Sequence, residues 1–443
     1  MKRYPAYRDS GVEWLGAVPG HWRVVQLKHV CKFFTGWTPP TGDSEAYVGE
    51  NLWANISDLG QPVIYDTVKR LSDAAIARHG IQSCPAGSLL FSFKLSIGQV
   101  SFAGQEMYTN EAIATFPPSP NIDLTFAFYA FPEMVVRNAS ENIYGAKMLN
   151  QFLINSAILL VPPLPEQTAI AAFLDLETAK IDGLVAEQRR LIDLLREKRQ
   201  AMISHAVTKG LNPATPLKPS GIDWLGDVPA GWRVAPLKMV ATVQTGIAKG
   251  KDTTGIMTIE VPYLRVANVQ DGHIDLTEVA TMEIPVDSLH RYTLKPGDVL
   301  MNEGGDFDKL GRGHVWDGQI DPCIHQNHVF AVRPHGVSPD WLNLVAGTDY
   351  AQFFFMGRSK QSTNLASISS TNLMELPVVI PPPQEQTIIL TFLADMRSRL
   401  DTLTATAFSA IALLQERRAA LISAAVTGKI DVRHLVQKET EAA

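Results

Sequence analysis

The chain contains the same order of segments twice, and this internal repeat restricts its possible folds more than any other feature. Residues 11–24 read GVEWLGAVPGHWRV, and residues 221–234 read GIDWLGDVPAGWRV. A second pair of segments, at 161–168 and 380–387, shares two prolines followed by Glu-Gln-Thr. A repeat on this scale indicates two copies of one structural unit, each with a constant part and a variable part.

The two variable regions lie at about 29–160 and 239–379. Short runs of β-branched and aromatic residues between Gly, Pro and Asp predict strands, for example at 299–301 and 328–332. Helices are expected near 123–137 and 338–355. Residues 87–90, 98–100 and 110–114 resemble 297–300, 313–315 and 327–331. We therefore expect one mixed α/β fold in both regions, with diverged surfaces.

Each proline-rich segment is followed by about 40 residues without proline, which predicts a long helix of roughly 60 Å. Apolar residues at a and d spacing predict that the two helices pack as an antiparallel, coiled-coil-like pair. Gln188, Lys198, Ala407 and Arg417 interrupt the heptads, so we expect some other packing surface as well. The predicted stripes are Leu174, Ile181, Leu184, Leu191, Leu195 and Met202, and Leu393, Met396, Leu400, Leu403, Leu414 and Leu421.

The predicted fold class is α+β, with two mixed α/β domains separated by two long antiparallel helices and related by an internal pseudo-two-fold repeat. The predicted boundaries are 1–160 for the first domain with its opening segment, 161–210 for the first long helix, 211–379 for the second domain with its opening segment, 380–431 for the second long helix and 432–443 for a C-terminal tail.

Composition points to a globular protein of a reducing compartment. Hydrophobic residues make up 46% of the chain and charged residues 19%, which is ordinary for soluble domains. Cys31, Cys84 and Cys323 are far apart, so neither a disulfide framework nor a cysteine-rich zinc module is indicated. Without a signal-like start or a run of 18 apolar residues, we expect a cytoplasmic protein that does not enter membranes.

The doubled order of motifs resembles the specificity subunits of type I restriction-modification systems. The pattern Gly-x-x-Trp-Leu-Gly-x-Val-Pro-x-x-Trp at 11–22 and 221–232 is similar to that family's opening signature, and Pro-Pro-Leu-Pro-Glu-Gln or Pro-Pro-Pro-Gln-Glu-Gln precedes each helix. The resemblance covers nearly the whole chain. It implies that the variable regions are target-recognition domains, each reading one half of a bipartite, asymmetric site in double-stranded DNA, while the helices set the gap.

The resemblance also implies partners and a division of labour. Two modification (methyltransferase) subunits that carry S-adenosylmethionine would dock on this chain, and restriction (translocase-nuclease) subunits can join them. The chain itself would be a non-catalytic specificity subunit that holds no cofactor and no metal.

Candidate DNA contacts lie in loops of the variable regions that contain hydrogen-bond donors and glycine, because base edges need donors and the backbone must approach phosphates closely. The second region offers 245–249, 301–312 and 358–364, and the first offers 35–38, 92–97 and 147–150. Solvated hairpins, and a packing role for Trp37, are the alternatives. The candidate residues are Thr35, Trp37, Ser92, Lys94, Lys147, Asn150, Lys249, Asn302, Lys309, Arg312, Arg358, Lys360, Gln361, Ser362, Thr363 and Asn364.

Other functional interpretations have less support in the sequence. No Asn-Pro-Pro-Tyr or Asp-Pro-Pro-Tyr motif of a methyltransferase occurs, and residues 246–252 lack the spacing and hydroxyl of a phosphate-binding loop. Cys323 with His314, His325 and His328 could suggest a metal site, but residues 107–111 contain no such cluster, so a turn with a buried cysteine is preferred.

Two rival functions stay open at this point. The net charge of −6 disfavours a protein that binds phosphates, unless the basic residues are concentrated locally. The first rival is therefore a scaffold that keeps the architecture without binding DNA, and the second is an enzyme that fuses modification and recognition. The repeated tryptophans at 14, 22, 224 and 232 favour a structural role, since residues that read sequence should differ between two domains with different targets.

Overall fold

The structure is a computed structural model that describes residues 2–141, 145, 147–250, 255–305, 310–361 and 366–435. The chain divides into two compact units. Unit 1 comprises residues 1–188 and 409–443, and unit 2 comprises residues 189–408. Both long helices cross this division, so each unit contains a part of each helix. The domain boundaries inferred from the repeats, which gave each helix a segment of its own, stay a prediction.

A long helix begins within each proline-rich segment and continues through the proline-free stretch for which the sequence predicts it. In chain order the helices are α1 (Asp73–His79), α2 (Leu124–Met134), α3 (Gln151–Ser156), α4 (Leu164–Lys209), α5 (Leu289–Tyr292), α6 (Pro339–Ala346), α7 (Asp349–Arg358), α8 (Ser370–Leu373) and α9 (Pro383–Val426). Within the described ranges, no helix is long and apolar enough to cross a membrane.

Most strands are short, and they alternate with turns throughout both variable regions. Those of unit 1 are β1 (Tyr7–Asp9), β2 (Ala17–Pro19), β3 (Arg23–Gln26), β4 (Phe34–Thr35), β5 (Asn51–Ala54), β6 (Val63–Ile64), β7 (Lys69–Leu71), β8 (Leu89–Ser92), β9 (Val100–Ala103), β10 (Tyr108–Thr109), β11 (Ile113–Phe116), β12 (Ser140–Glu141), β13 (Lys147–Met148) and β14 (Ile158–Val161).

The strands of unit 2 follow a similar order. They are β15 (Leu217–Pro219), β16 (Asp227–Pro229), β17 (Arg233–Pro236), β18 (Ala241–Thr245), β19 (Thr258–Leu264), β20 (Val269–Gln270), β21 (His273–Ile274), β22 (Ala280–Pro285), β23 (Val299–Asn302), β24 (Gly304–Gly305), β25 (Gly313–Val315), β26 (Ile324–His325), β27 (Val329–Pro334), β28 (Lys360–Gln361), β29 (Ala366–Ser367) and β30 (Pro377–Ile380).

The core of each unit forms around one antiparallel strand pair with a helix packed on it. In unit 1 the central sheet has the order β4-β11-β8-β9-β6, and every residue of β8 and β11 is buried. Phe131 of α2 packs against Phe116 of β11 with ring centroids 4.9 Å apart. Such continuous apolar strands are typical of sheets that are covered on both faces.

Unit 2 repeats this arrangement with the sheet order β18-β27-β23-β25. The strand registers make Asn302, which pairs with Val329, equivalent to Ser92, which pairs with Ile113. They also make Phe330 equivalent to Ala114, since Phe330 pairs with Thr245 and Ala114 with Thr35. The sequence similarity of 110–114 with 327–331 therefore identifies the correct strand but is displaced by one residue.

The constant segments connect each variable region to its long helix. Strand β3 pairs with β14, and β17 pairs with β30, so each opening segment lies beside the strand that leads into a helix. Trp22 and Trp232 are the last residues of the two copies of the opening motif, and each is buried in the core of its unit. Their burial agrees with the structural role predicted for them.

The glutamine of each Glu-Gln-Thr motif is buried and forms hydrogen bonds that lie beside the helix start. Gln167 Nε2 donates to the Pro162 carbonyl at 2.8 Å, and its Oε1 accepts from the Asp123 N–H at 2.8 Å. Gln386 similarly donates to the Pro381 carbonyl at 2.9 Å. The repeat of this motif thus has a structural cause, because an unpaired carbonyl in this buried place would be costly.

The helix segments in each unit run antiparallel. In unit 1, Asp182 accepts a hydrogen bond from Arg418 at 3.0 Å, while Glu166 lies 3.9 Å from Arg433. In unit 2, Arg199 forms an ion pair with Asp401. Gly210, which directly follows the end of α4, lies close to Glu385, which is near the start of α9.

The apolar stripe of the helices differs in part from the predicted heptads. Leu174, Ile181, Leu195, Leu393, Leu400 and Leu421 are buried as expected. The prediction is wrong for Leu184, Leu191 and Leu403, which are exposed, and the neighbouring Val185 and Ile192 are buried instead. Ala407, taken as an interruption, is also buried. A straight helix has 3.6 residues per turn, so its buried stripe drifts away from a strict seven-residue repeat.

Replacing Gln386 by leucine should destabilise unit 2, because the buried Pro381 carbonyl would have no donor. We expect the free energy of unfolding, measured in urea by circular dichroism, to fall by about 1–3 kcal/mol. Gln384→Leu is the matched control, since Gln384 is exposed two residues earlier in the same motif. Equal decreases in both variants would contradict the role assigned to Gln386.

Burial of His325 should make the protein less stable in weak acid. Desolvation lowers the pKa of this side chain to about 4, although Nδ1 lies 2.7 Å from the Val329 carbonyl. Between the ordinary pKa of 6.5 and 4, the unfolded chain binds a proton that the folded chain does not, so stability decreases as pH falls.

His325→Asn removes the titrating group and should reduce this pH dependence by up to about 3 kcal/mol between pH 7 and pH 4. Urea unfolding of both proteins across that range measures the difference. Parallel stability profiles for the wild type and the variant would show that His325 does not cause the effect.

Candidate nucleic-acid interface

Two candidate segments of unit 2, which are far apart in sequence, meet in one small sheet. Strand β29 pairs with β24 on one side and with β28 on the other. Gly304 is therefore opposite Ser367, and Ser367 is opposite Lys360. The loop after β23 and the polar segment after α7 thus form a common surface.

The third candidate segment of unit 2 reaches the same place through residues 326–328. The Ile247 N–H donates to the His325 carbonyl at 3.0 Å, and the Asn327 N–H donates to the Ile247 carbonyl at 3.1 Å. Glu303 is linked to His328 by its N–H at 2.9 Å and by its carboxylate, which lies 2.8 Å from Nδ1. We call 246–249, 303–305, 326–328 and 358–361 together the unit 2 surface.

Four cations of this region have no ion-pair partner within the described part of the chain: Lys249, Arg312, Arg358 and Lys360. Lys249 lies over the Tyr263 ring at 5.6 Å, and Arg358 lies over the Phe354 ring at 5.3 Å. Arg312 is half-buried and the other three are exposed. Ring contacts of this kind support the charged group while leaving its N–H donors available.

The corresponding region of unit 1 contains the end of β4, the turn after β8, and α3 with the hairpin before it. Gln151 donates to the Thr35 hydroxyl at 3.1 Å, and Asn150 caps α3 by accepting from the Leu153 N–H at 2.8 Å. Lys147 is exposed on β13 opposite Glu141. We call 35–38, 94–96, 110–111 and 147–152 the unit 1 surface.

Lys94 and Glu111 form an ion pair on the unit 1 surface, with Nζ and Oε1 3.5 Å apart. Partial burial would raise the pKa of Glu111, but hydrogen bonds from Thr38 and the backbone, together with Lys94, outweigh it and lower that pKa. Glu111 therefore stays ionised at neutral pH and offsets the charge of Lys94. The unit 1 surface is less cationic than the unit 2 surface.

A glycine follows the threonine at the start of both variable regions because the backbone of another segment passes very close. A Cβ atom on Gly36 would lie 1.7 Å from the Thr109 carbonyl oxygen, and one on Gly246 would lie 2.0 Å from that of His325. Trp37, next to Gly36, stacks on His79 with ring centroids 4.4 Å apart. This contact supports the packing alternative for Trp37.

Two predicted contact residues have to be corrected. Ser92 and Asn302 occupy equivalent positions, and both are buried. The Ser92 hydroxyl donates to the Ser96 carbonyl at 2.5 Å, and Asn302 Nδ2 donates to the Val269 carbonyl at 2.9 Å. Because these polar groups bond within the fold, they shape the loops and do not present donors to DNA.

The sequence analysis did not identify every residue on these two surfaces. Asn327 and His328 lie outside the candidate segments, and Glu303 lies in the segment 301–312 but is not among the candidate residues; the sequence suggested His328 only as a metal ligand. Within the described ranges, no three His, Cys, Asp or Glu side chains are arranged to hold a metal ion. Lys309, Ser362, Thr363 and Asn364 lie outside the described residues.

Several known proteins are similar to this chain in sequence or in fold. Residues 19–185 match the family described as the type I restriction modification DNA specificity domain. The putative type I restriction enzyme MjaX specificity subunit of Methanocaldococcus jannaschii is 25% identical over 185 residues, which cover 40% of this chain and 42% of that relative. The MjaVIII specificity subunit of the same organism is 22% identical over 430 residues, 94% of this chain and 95% of that protein.

A solved chain from work on complex assembly and conformational transition of the type I R-M system has the same fold. Its TM-score is 0.69 at 16% identity, and the alignment covers 93% of this chain and 99% of that chain. Together with the repeated motifs, these matches confirm the resemblance seen in the sequence: the chain is similar to type I restriction-modification specificity subunits in sequence motifs and in fold.

Proposed function

We propose that this chain selects the DNA site of a type I modification complex, with each unit reading one half of a bipartite, asymmetric target. The observation that carries the proposal is the unit 2 surface, where three cations from two separate segments, Lys249 and the pair Arg358 and Lys360, have no carboxylate partners among the described residues. Arginine and lysine donors can bind phosphates and the acceptor edge of guanine.

The local concentration of cations also addresses the net charge of −6. The field at a surface depends on nearby charges more than on the total, since salt screens exposed charges beyond about 8–10 Å. The acidic balance therefore does not oppose DNA binding by the unit 2 surface. It remains the feature that favours the rival function of a scaffold without DNA binding.

We further propose that α4 and α9 set the gap between the half-sites and bind two modification subunits. In unit 1, apolar side chains of Leu176, Leu184 and Leu413 are exposed on these helices, and in unit 2 the same holds for Ile388, Leu403 and Phe408. Several exposed apolar side chains on the same helices are typical of a surface that binds another protein.

In this proposal the chain is not an enzyme. S-adenosylmethionine and the methyl-transfer chemistry belong to the modification subunits, and restriction subunits can complete the assembly in the cytoplasm. The chain binds double-stranded DNA and thereby determines where on the DNA the modification subunits are placed.

The proposal predicts that Arg358→Ala changes one half of the target and leaves the other half unchanged. Co-expression with the modification subunit and mapping of adenine methylation in host DNA should reveal a split motif that is absent without this chain. The variant should relax one half-site and weaken DNA binding roughly tenfold, because alanine has no donor for the base edge.

Arg291→Ala is the matched control, since Arg291 also lies over a ring, that of Tyr292 at 5.4 Å, but outside the unit 2 surface. Its motif should be that of the wild type. A stable complex that produces no new methylation motif would instead support the scaffold function. Methyl transfer by the chain alone would support the enzyme function.

Binding of the modification subunit should depend on the exposed apolar groups of the helices. We expect Leu413→Glu to reduce co-purification of that subunit strongly without changing the circular dichroism spectrum, because a carboxylate would be desolvated at the interface. Val68→Glu changes an exposed side chain of unit 1 outside the helices and serves as the control. Undiminished co-purification of Leu413→Glu would contradict this docking surface.

A further inference from the structure

The unit 1 surface carries large apolar side chains that the fold leaves in water. Leu95 is 70% exposed, Phe152 is 76% exposed and Met148 is 51% exposed. Leu95 lies in the turn after β8, Met148 on β13 and Phe152 on α3. Exposed apolar groups that gather on one surface usually mark a place that another molecule covers.

Residues 35–38 connect the segment that carries Phe152 with the segment that carries Leu95. Thr35 accepts a hydrogen bond from Gln151, which precedes Phe152. Thr38, three residues later, donates to Glu111, which pairs with Lys94 next to Leu95. Leu95 and Phe152 therefore each have a hydrogen-bond donor beside them in sequence, and both donors belong to the proposed DNA surface.

Among the described residues of unit 2, no apolar side chain lies at the positions reached by the same count from Asn302 and from the cap of α8. Gly305 lies three residues after Asn302, as Leu95 lies three residues after Ser92. Thr371 lies two residues after the N-cap of α8, as Phe152 lies two residues after the N-cap of α3. The unit 2 surface instead carries cations without ion-pair partners among the described residues. The two units thus present different chemistry to the two half-sites.

We propose that the unit 1 surface recognises thymine through contact of Leu95 and Phe152 with 5-methyl groups in the major groove. This inference rests on the proposed function. Thymine is the base whose major-groove edge combines an apolar methyl group with a neighbouring acceptor, O4. The pairing of Lys94 and Gln151 donors with apolar neighbours matches that edge. The charge of Lys94, offset by Glu111, is less suited to binding guanine or phosphate.

Uracil tests this proposal because it lacks only the methyl group. The probe is a duplex that carries the site mapped by adenine methylation, with thymines replaced by uracil one at a time. It is titrated by fluorescence anisotropy with the full chain bound to its modification subunit. Within the half-site read by unit 1, we expect uracil to raise Kd about fourfold for each contacted methyl group that is removed. Uracil in the other half-site should leave Kd unchanged.

Variants link the effect to the named side chains. Leu95→Ala or Phe152→Ala should raise Kd for the thymine duplex and remove the difference between thymine and uracil at one position. Both side chains are exposed, so these changes should leave folding intact. Val68→Ala removes an apolar group from a residue that is 87% exposed elsewhere in unit 1, and should behave as wild type.

Other outcomes would overturn the proposal in distinguishable ways. Sequence-specific binding without any response to uracil would refute the thymine contact while leaving the proposed function in place. Variants with normal DNA binding but weaker assembly with the modification subunit would assign the apolar side chains to a protein interface. Absence of all sequence-specific binding by the wild-type complex would refute the proposed function itself.

Discussion

The pairing of each opening strand with the strand that leads into a long helix is the constraint on which the rest of the structure depends. Strands β3 and β14, and again β17 and β30, bring the constant segments of each repeat together. The buried glutamines then connect the helix starts to the variable regions, because Gln167 accepts a hydrogen bond from the Asp123 N–H and Gln386 accepts one from the Ser338 N–H. A loop that reads DNA needs such a rigid base, because a displacement of about an ångström is enough to break a hydrogen bond to a base.

The two units use one framework to support surfaces of different character. The strand registers show that Ser92 and Asn302 are equivalent, and both residues hold the loop that follows them. Beyond this point the surfaces diverge. Unit 1 presents exposed apolar groups beside an internally neutralised lysine, whereas unit 2 presents arginine and lysine without partners among the described residues. The proposed reading of two different half-sites requires such a division, with a constant framework and two different surfaces.

Local patterns in the sequence predicted the elements well, but not their long-range contacts. The starts of α4 and α9 follow directly from the proline-rich motifs, and β23 and β27 follow from their apolar runs. The meeting of Gly304 with Ser367 could not be predicted, since it joins residues more than 60 positions apart through a short strand. The type of a side chain also did not always predict whether the residue is buried. Ser92 and Asn302 are polar but buried, while Leu184 and Leu403 are apolar but exposed.

Hydrogen exchange of the complete complex on a duplex with the mapped site tests the central claim, that each unit reads one half of the target. At saturating DNA, the account predicts protection of residues 94–96 and 147–152 in unit 1, and of 303–305 and 358–361 in unit 2. Scrambling one half-site should remove protection from one unit only. Protection that disappears from both units together, or from neither, would contradict the account.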